Sequence, residues 1–137
     1  MSAIGGEQST RASGIERLVH NAQKRGIARV VAIGGAGILT LPDGGLLKEQ
    51  SFFPDFLVPI SNAHYDAWKI LEKSSLKWTM ICPGTMNDGV SKASYRHQAD
   101  SPVSDMKGVF YDDVAHLILQ CLELETYVTK RVSISNP

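Results

Sequence analysis

Apolar residues recur along the chain with two spacings, one typical of amphipathic helices and the other of buried strands. The helical spacing, in which apolar side chains return every three or four positions to one face, occurs in three segments. These are residues 14–25, residues 61–73 and a segment after Asp112 whose apolar stripe spans residues 114–122. Ser13 and Asp112 are the predicted N-caps of the first and third helices, and Gly26 is the predicted residue after the end of the first. Residues 7–13 are polar and are predicted to form a loop.

Short unbroken apolar runs predict strands that are buried on both faces, as in a parallel sheet. The clearest runs are residues 30–33, which lead directly into the GGAG sequence of residues 34–37, and residues 77–82, which a Pro-Gly pair ends. Two further short strands are predicted at residues 94–98 and 131–135. Helices and strands therefore alternate along the chain, which predicts an α/β fold with a largely parallel sheet.

Composition and charge exclude several classes of partner. The chain has 14 basic and 14 acidic residues, and this balance removes a general attraction to nucleic acid or to anionic membrane surfaces. No apolar run approaches the ~18 residues of a membrane span, and the first residues lack a signal-peptide pattern. Cys82 and Cys121 lie within apolar runs, which predicts buried free thiols in a reducing compartment and hence a cytoplasmic location. The histidines show no metal-ligand spacing, so no metal is expected.

The GGAG sequence suggests a nucleotide site, because ligands of open α/β sheets bind beyond the carboxyl ends of the strands. A dinucleotide-binding loop needs three glycines spaced across a strand-to-helix turn. Here Thr40 occupies the third glycine position, and a Pro-Asp-Gly-Gly turn follows instead of a helix. The segment therefore does not fit a pyrophosphate loop. Two interpretations stay open: a tight strand exit that needs small residues, or a backbone that a cofactor approaches by another route.

Five segments of the chain, in order, resemble the later part of the NAD(P)H-binding atypical short-chain dehydrogenase/reductases. They read GIARVVAIGGAGIL, HYDAWKILEKSSLKWTMICPGTM, SYR, YDDVAHLILQCLE and KRVSIS. The family includes NmrA-like proteins and the biliverdin/flavin reductase group, and the most specific match is LKWTMICPG, which is similar to its S-G-L-x-W-T-x-x-R-P-G strand. The resemblance implies a Rossmann fold, NADP or NAD as cofactor and an unidentified small-molecule substrate. It also implies a set of residues on the ribose–nicotinamide side of the cofactor: Gly5, Gly6, Gly34, Gly35, Ala36, His64, Pro83, Gly84, Thr85 and Met86.

The resemblance covers only the carboxyl-terminal portion of the family domain. Residues 1–6 would correspond to the end of the family's fourth strand, and the first three βα units, with their G-x-x-G-x-x-G loop, have no counterpart in this sequence. We therefore expect a single truncated domain over residues 1–137, with a partial Rossmann-type parallel sheet and flanking helices. Binding of the cofactor by this chain alone is expected to be poor.

The candidate chemistry is limited. Tyr65 and Lys69 match the Y-x-x-x-K pair of short-chain dehydrogenases, in which an ammonium one helical turn away lowers the pKa of the phenol. The register argues against this pair, because the family's lysine position falls near His64, and glycines replace the family's serine at the strand exit. No catalytic residue is assigned. His64 could bind the ribose, act as an acid or base near neutral pH, or be a structural histidine at a helix start.

Three functions stay open from the sequence. The chain could be an NAD(P)-dependent oxidoreductase, a non-enzymatic NmrA-like redox-sensing or interaction module, or an inactive truncated product. The loops that would choose a substrate, residues 40–59 and 86–108, match no motif.

The absent family strand predicts a physical consequence for stability. Without it, the fourth strand of the family sheet becomes an edge with unpaired N–H and C=O groups. We expect a marginally stable protein or self-association through that edge, which analytical ultracentrifugation and thermal unfolding would measure. A cooperative unfolding transition of a monomer at ordinary concentration would contradict this expectation.

Overall fold

Helices and strands alternate along the part of the chain that the computed structural model describes, which is residues 8–137 for the backbone and 12–137 for the side chains. The helices are α1 (Gln8–Lys24), α2 (Val58–Lys73) and α3 (Tyr111–Leu124). The strands are β1 (Arg29–Ile33), β2 (Lys77–Pro83), β3 (Met86–Asn87), β4 (Arg96–Ala99), β5 (Val109–Phe110) and β6 (Lys130–Ser135). The strand end predicted at residues 1–6 lies outside the described residues.

Four strands form the main sheet in the order β1–β2–β6–β4. β1, β2 and β6 run parallel, and β4 pairs with β6 in the antiparallel sense. The predicted α/β fold with a largely parallel sheet is confirmed, and the four predicted strands agree with β1, β2, β4 and β6 to within two residues. The sequence did not predict β3 and β5, which form a separate two-residue parallel pair.

The helices cover both faces of this sheet, because successive strand residues point to opposite sides. Val30 and Ala32 pack with α1 and α2 in one core cluster. Val31, which lies between them, packs with α3 in the other cluster. A strand with apolar residues on both faces is what an unbroken apolar run predicts, and this two-sided burial places β1 and β2 in the middle layer.

The starts of the helices differ from the predictions. α1 begins at Gln8, so the prediction of a loop before residue 14 and of Ser13 as the N-cap was wrong. Residues 8–13 carry no apolar period, so the pattern could not place this helix start. α2 begins at Val58, with Pro59 in its first turn, where a missing N–H breaks no helical hydrogen bond. Asp112 does not cap α3: it lies in the first turn, after the N-cap residue Phe110.

The end of α1 follows the prediction. Gly26 has a φ of +71°, a conformation that glycine adopts without steric cost. The Gly26 N–H donates to the Gln23 carbonyl at 3.3 Å, and the Ile27 N–H donates to the Ala22 carbonyl at 2.9 Å. These two hydrogen bonds form a Schellman motif, which ends the helix and turns the chain toward β1.

A buried arginine joins β6 to the segment that follows the GGAG sequence. Arg131 is 7% exposed, and its guanidinium donates to the Ile38 carbonyl and, at 2.9 Å, to Thr40 Oγ1. Its Cζ lies 3.9 Å from the centre of the Trp68 ring on α2, and its Nε lies 3.7 Å from Asp100 Oδ1. Because these groups belong to three different parts of the fold, Arg131 fixes the path of the chain after β1.

Replacing Arg131 with methionine keeps an apolar stem but removes the guanidinium contacts. We expect Arg131→Met to lower the free energy of unfolding by about 2–3 kcal/mol, because hydrogen bonds to a charged group contribute about 1.5–3 kcal/mol and the buried acceptors are left unpaired. Urea unfolding followed by circular dichroism measures this change.

Lys130→Met is the matched control. Lys130 contacts the same carboxylate from an exposed position, with Nζ 3.2 Å from Asp100 Oδ2. Surface ion pairs contribute at most about 1 kcal/mol, so the control should change stability far less. Equal effects of the two variants would show that Arg131 holds nothing more than a surface ion pair.

Candidate functional site

A cleft of about 570 Å³ opens where the carboxyl ends of β1 and β2 meet the start of α2. Its walls are residues 34–37, residues 83–86, residues 106–108, and side chains from α2 and the segment before it. The volume lies within the roughly 300–1,000 Å³ of typical small-molecule sites. The position also matches the rule that open α/β sheets bind ligands beyond the carboxyl ends of their strands.

The structure brings together every predicted site residue that it describes. Those that line the cleft are Gly34, Gly35, Ala36, His64, Pro83, Gly84, Thr85 and Met86. Gly5 and Gly6 lie outside the described residues.

Sequence reasoning missed the rest of the cleft. The missed residues are Gly37, several positions between 47 and 61, and residues 106–108. The helical period could have found Ser61, because it lies three residues before His64 and hence on the same face. Residues 106–108 carry no sequence signal, since only the tertiary structure brings them to this wall.

Two glycines allow α2 to lie directly against the exit of β1. A Cβ added to Gly35 would lie 2.8 Å from Cδ2 and 3.2 Å from Nε2 of His64, and a Cβ added to Gly37 would overlap the Ser61 hydroxyl. His64 is 9% exposed and Ser61 is 4% exposed. The need for small residues at this strand exit therefore follows from packing alone. The same packing places two polar side chains of α2 beside the backbone of the cleft wall.

The third wall of the cleft is fixed by hydrogen bonds from two directions. The Val109 N–H donates to the Thr85 carbonyl at 2.9 Å, which starts the β3–β5 pair. The Lys107 N–H donates to Ser135 Oγ at 2.7 Å, and the Gly108 carbonyl accepts from the Asn136 N–H at 3.1 Å. Residues 106–108 are thereby attached both to the exit of β2 and to the end of β6. Among the described residues that line the cleft, Lys107 alone carries a full charge.

A buried carboxylate organises the loops next to this wall. Asp113 is 1% exposed and accepts hydrogen bonds from Ser91 Oγ at 2.5 Å and from Asn136 Nδ2 at 2.6 Å. The Phe110 N–H in turn donates to Asn136 Oδ1 at 3.0 Å. Asp113 thus joins the 88–93 loop to the segment after β6, which is a structural role. The neighbouring Asp112 is exposed in the first turn, where its negative charge interacts favourably with the helix dipole.

The Tyr65 and Lys69 side chains lie away from the cleft. Lys69 Nζ pairs with Glu72 Oε1 at 3.2 Å and lies 4.1 Å from the centre of the Trp68 ring and 5.5 Å from that of Tyr65. Neither Tyr65 nor Lys69 is among the residues that line the cleft. The geometry therefore agrees with the register argument against a catalytic Tyr–Lys pair.

The two thiols are buried and free, as the sequence predicted. Burial raises the pKa of Cys82 to about 12, although the nearby Arg131 charge acts in the opposite direction. Burial also raises the pKa of Cys121. A nucleophilic cysteine needs a lowered pKa and access to solvent, so neither thiol fits that role.

Metal and membrane sites receive no support from the described residues. Within residues 8–137, no group of three or more His, Cys, Asp or Glu side chains could hold a metal ion. None of the helices in that range is long and apolar enough to cross a membrane.

The raised thiol pKa values predict slow chemical labelling. At pH 8 a thiol with a pKa of about 12 is ionised in roughly one molecule in ten thousand, so Cys82 should not react with Ellman's reagent in the folded protein. Both cysteines should react after unfolding in urea. A Ser104→Cys variant, which places a thiol at an exposed position, is the positive control. Fast labelling of the folded parent protein would contradict the buried placement.

Comparison with models of protein families identifies the family of this chain. A family model described as NAD(P)H-binding matches residues 1–125. No curated protein is significantly similar in sequence.

Several solved structures are similar over nearly the whole chain. A candidate exported protein from Burkholderia pseudomallei has a TM-score of 0.90 and 27% identity, over 98% of this chain and 69% of that chain. A candidate NADH-flavin reductase from Streptococcus pneumoniae TIGR4 has a TM-score of 0.82 and 22% identity, over 99% and 70% of the two chains. An anaerobillin reductase from Escherichia coli O157:H7 has a TM-score of 0.78 and 19% identity, over 99% and 62%. The last two similarities concern the fold alone.

Proposed function

The chain belongs to the NAD(P)H-binding family, and on this premise we propose that its cleft binds the nicotinamide end of NADPH or NADH. The fold supports this proposal, because it is the parallel-dominated sheet with flanking helices of Rossmann-like proteins. The observation that carries the proposal is the convergence of all eight described site residues on one cleft. They come from two strand exits and one helix, and only a ligand at the sheet edge would contact all three.

The chemistry of the cleft fits a nicotinamide riboside. Gly34 and Gly35 contribute backbone to one wall, and the space that their Cβ atoms would fill is occupied by the side chains of Met80 and His64. His64 supplies a ring nitrogen and Thr85 supplies a hydroxyl, either of which can bind a ribose hydroxyl or a carboxamide. Phe53 and Met106 add apolar surface. Hydride transfer is the chemistry that the cofactor supplies when bound, and the protein contributes mainly by positioning a substrate against it.

The other half of the cofactor has no matching motif in this sequence. The 137 residues contain no G-x-x-G-x-x-G pattern, and glycine-rich loops of that kind hold the pyrophosphate. We therefore assign this chain the nicotinamide side of the site as part of a truncated Rossmann-like domain. Binding of the whole dinucleotide by this chain alone is then weak.

A non-enzymatic redox-sensing or interaction module of NmrA-like type is the second candidate function. Two observations favour it over an oxidoreductase. Glycines stand at the strand exit where the family's catalytic serine is found, and Tyr65 and Lys69 lie outside the cleft. Such a module would bind the same cofactor without turnover.

Location and assembly are further parts of the proposal. Two free thiols favour a reducing compartment such as the cytoplasm, whereas the similar protein from B. pseudomallei is named a candidate exported protein. Self-association through a sheet edge stays a prediction of the sequence.

Titration with whole and half cofactors tests the proposed site. We expect NADPH and NADH to bind the purified chain with a Kd of about 0.1–1 mM, because only part of the cofactor's contacts is available. Nicotinamide mononucleotide should compete for the site and AMP should not. Nicotinamide fluorescence and NMR shifts of residues 34–37 measure these affinities. Micromolar binding would contradict the expectation that this chain alone binds the dinucleotide weakly. The lack of any saturable binding would contradict the proposed cofactor site.

A histidine variant separates an enzyme from a binding module. If the protein is an oxidoreductase, His64→Ala should lower NADPH oxidation, with FMN as the electron acceptor, by at least about tenfold. His20→Ala is the matched control, because His20 is exposed on α1. Saturable NADPH binding without turnover in the parent protein would favour the binding module instead.

A further inference from the structure

The Ser61 side chain lies in the cleft wall, and its hydroxyl makes no hydrogen bond to any described residue. Ser61 is 4% exposed and lines the cleft. The other two buried serines of the described part of the chain are satisfied. Ser133 Oγ donates to the Gln98 carbonyl at 3.2 Å, and Ser135 Oγ donates to the Lys107 carbonyl at 3.3 Å. Ser61 is therefore the exception among the buried serines of the described residues, and its hydroxyl oxygen is not one of the fully buried side-chain atoms that lack a partner, so it is open to the cleft.

The helix itself does not satisfy this hydroxyl. A serine inside a helix commonly donates to the carbonyl four residues earlier, which here belongs to Leu57, but the Ser61 hydroxyl makes no such bond. It lies instead at the backbone of Gly37, where an added Cβ would overlap it. The free donor and acceptor of Ser61 are thus held at the exit of β1, on the wall where the ligand is proposed to bind.

Ser61 and His64 form a matched pair of polar groups along this wall. They are three residues apart on α2, so their side chains occupy one face, about 5–6 Å apart at Cβ. Each contacts a different glycine of the GGAG sequence. A ligand that lies along residues 35–37 would contact the Ser61 hydroxyl and the His64 imidazole side by side. Hydroxyl and amide groups of a ligand can form hydrogen bonds with both.

We infer that Ser61 is a binding residue of the cleft, whose hydroxyl pairs with a hydroxyl or carboxamide of the nicotinamide riboside. This inference rests on the proposed function and adds a contact that neither the sequence motifs nor the family resemblance assigned. It also gives a role to a hydroxyl that faces the cleft and has no hydrogen-bond partner among the described residues.

The alternative is that Ser61 is only a small residue that packs against Gly37. The two explanations predict different outcomes for Ser61→Ala. A packing role tolerates alanine without any change in ligand affinity. A binding role predicts that alanine weakens ligand binding and leaves the stability of the ligand-free protein nearly unchanged, because the hydroxyl has no hydrogen-bond partner within the described part of the protein.

NMR titration of the purified chain with nicotinamide mononucleotide tests this role. We expect Ser61→Ala to raise the Kd about 5–10-fold, since one hydrogen bond is lost, and the Tm of the ligand-free protein to stay nearly the same. Ser61→Cys keeps nearly the same volume with a much weaker donor and should raise the Kd in the same direction. Ser104→Ala, at an exposed position outside the cleft, should change neither quantity.

The outcomes separate this inference from the proposed function. Saturable binding to the parent protein with an unchanged Kd in both Ser61 variants would overturn the role of Ser61 and leave the cofactor site standing. A lower Tm in Ser61→Ala would also overturn it, because the hydroxyl would then have a structural partner. If the parent protein binds no nicotinamide nucleotide at all, the proposed function fails, and the role of Ser61 fails with it.

Discussion

The cleft depends on the absence of side chains at Gly35 and Gly37. The space that their Cβ atoms would fill holds the ring of His64 and the hydroxyl of Ser61. The start of α2 therefore lies directly against the exit of β1. Because protein interiors are close-packed, an added atom would displace the neighbouring groups. The same contacts bring polar groups of a helix to the sheet edge at which Rossmann-like proteins bind nucleotides. Gly35 and Gly37 therefore matter both for the packing of α2 and for the proposed site.

A second constraint holds the cleft wall in place from within the sheet. Arg131 reaches from β6 to the Ile38 carbonyl and to Thr40, and its guanidinium lies on the Trp68 ring of α2. The segment after the GGAG sequence is therefore attached both to a central strand and to the helix that faces the cleft. Because one buried charge carries these contacts, its removal would affect stability and the shape of the cleft together. These contacts also explain why a charged residue is buried in β6.

The sequence predicted the features that follow from local spacing. Unbroken apolar runs gave β1 and β2, because a strand buried on both faces needs apolar residues on both. Gly26 predicted the end of α1, because glycine readily adopts the positive φ that the chain has there. The family resemblance gave the eight residues that converge on the cleft, because the exits of neighbouring parallel strands meet at one edge of the sheet. The strands and the helix end require only the order and period of residues along the chain, whereas the site residues rest on the family resemblance.

Only the tertiary structure decided the contacts between distant residues. Arg131 and Ile38 are 93 positions apart, and no local pattern connects a charged residue at the start of a strand to a carbonyl in a loop. The buried pairing of Asp113 with Ser91 and Asn136 is of the same kind. The start of α1 at Gln8 was not predicted, because residues 8–13 carry no apolar period. The sequence by itself therefore determined which segments are buried and which strand exits line the cleft. The fold alone decided which polar groups are satisfied within the protein and which, like the hydroxyl of Ser61, stay unpaired in the cleft.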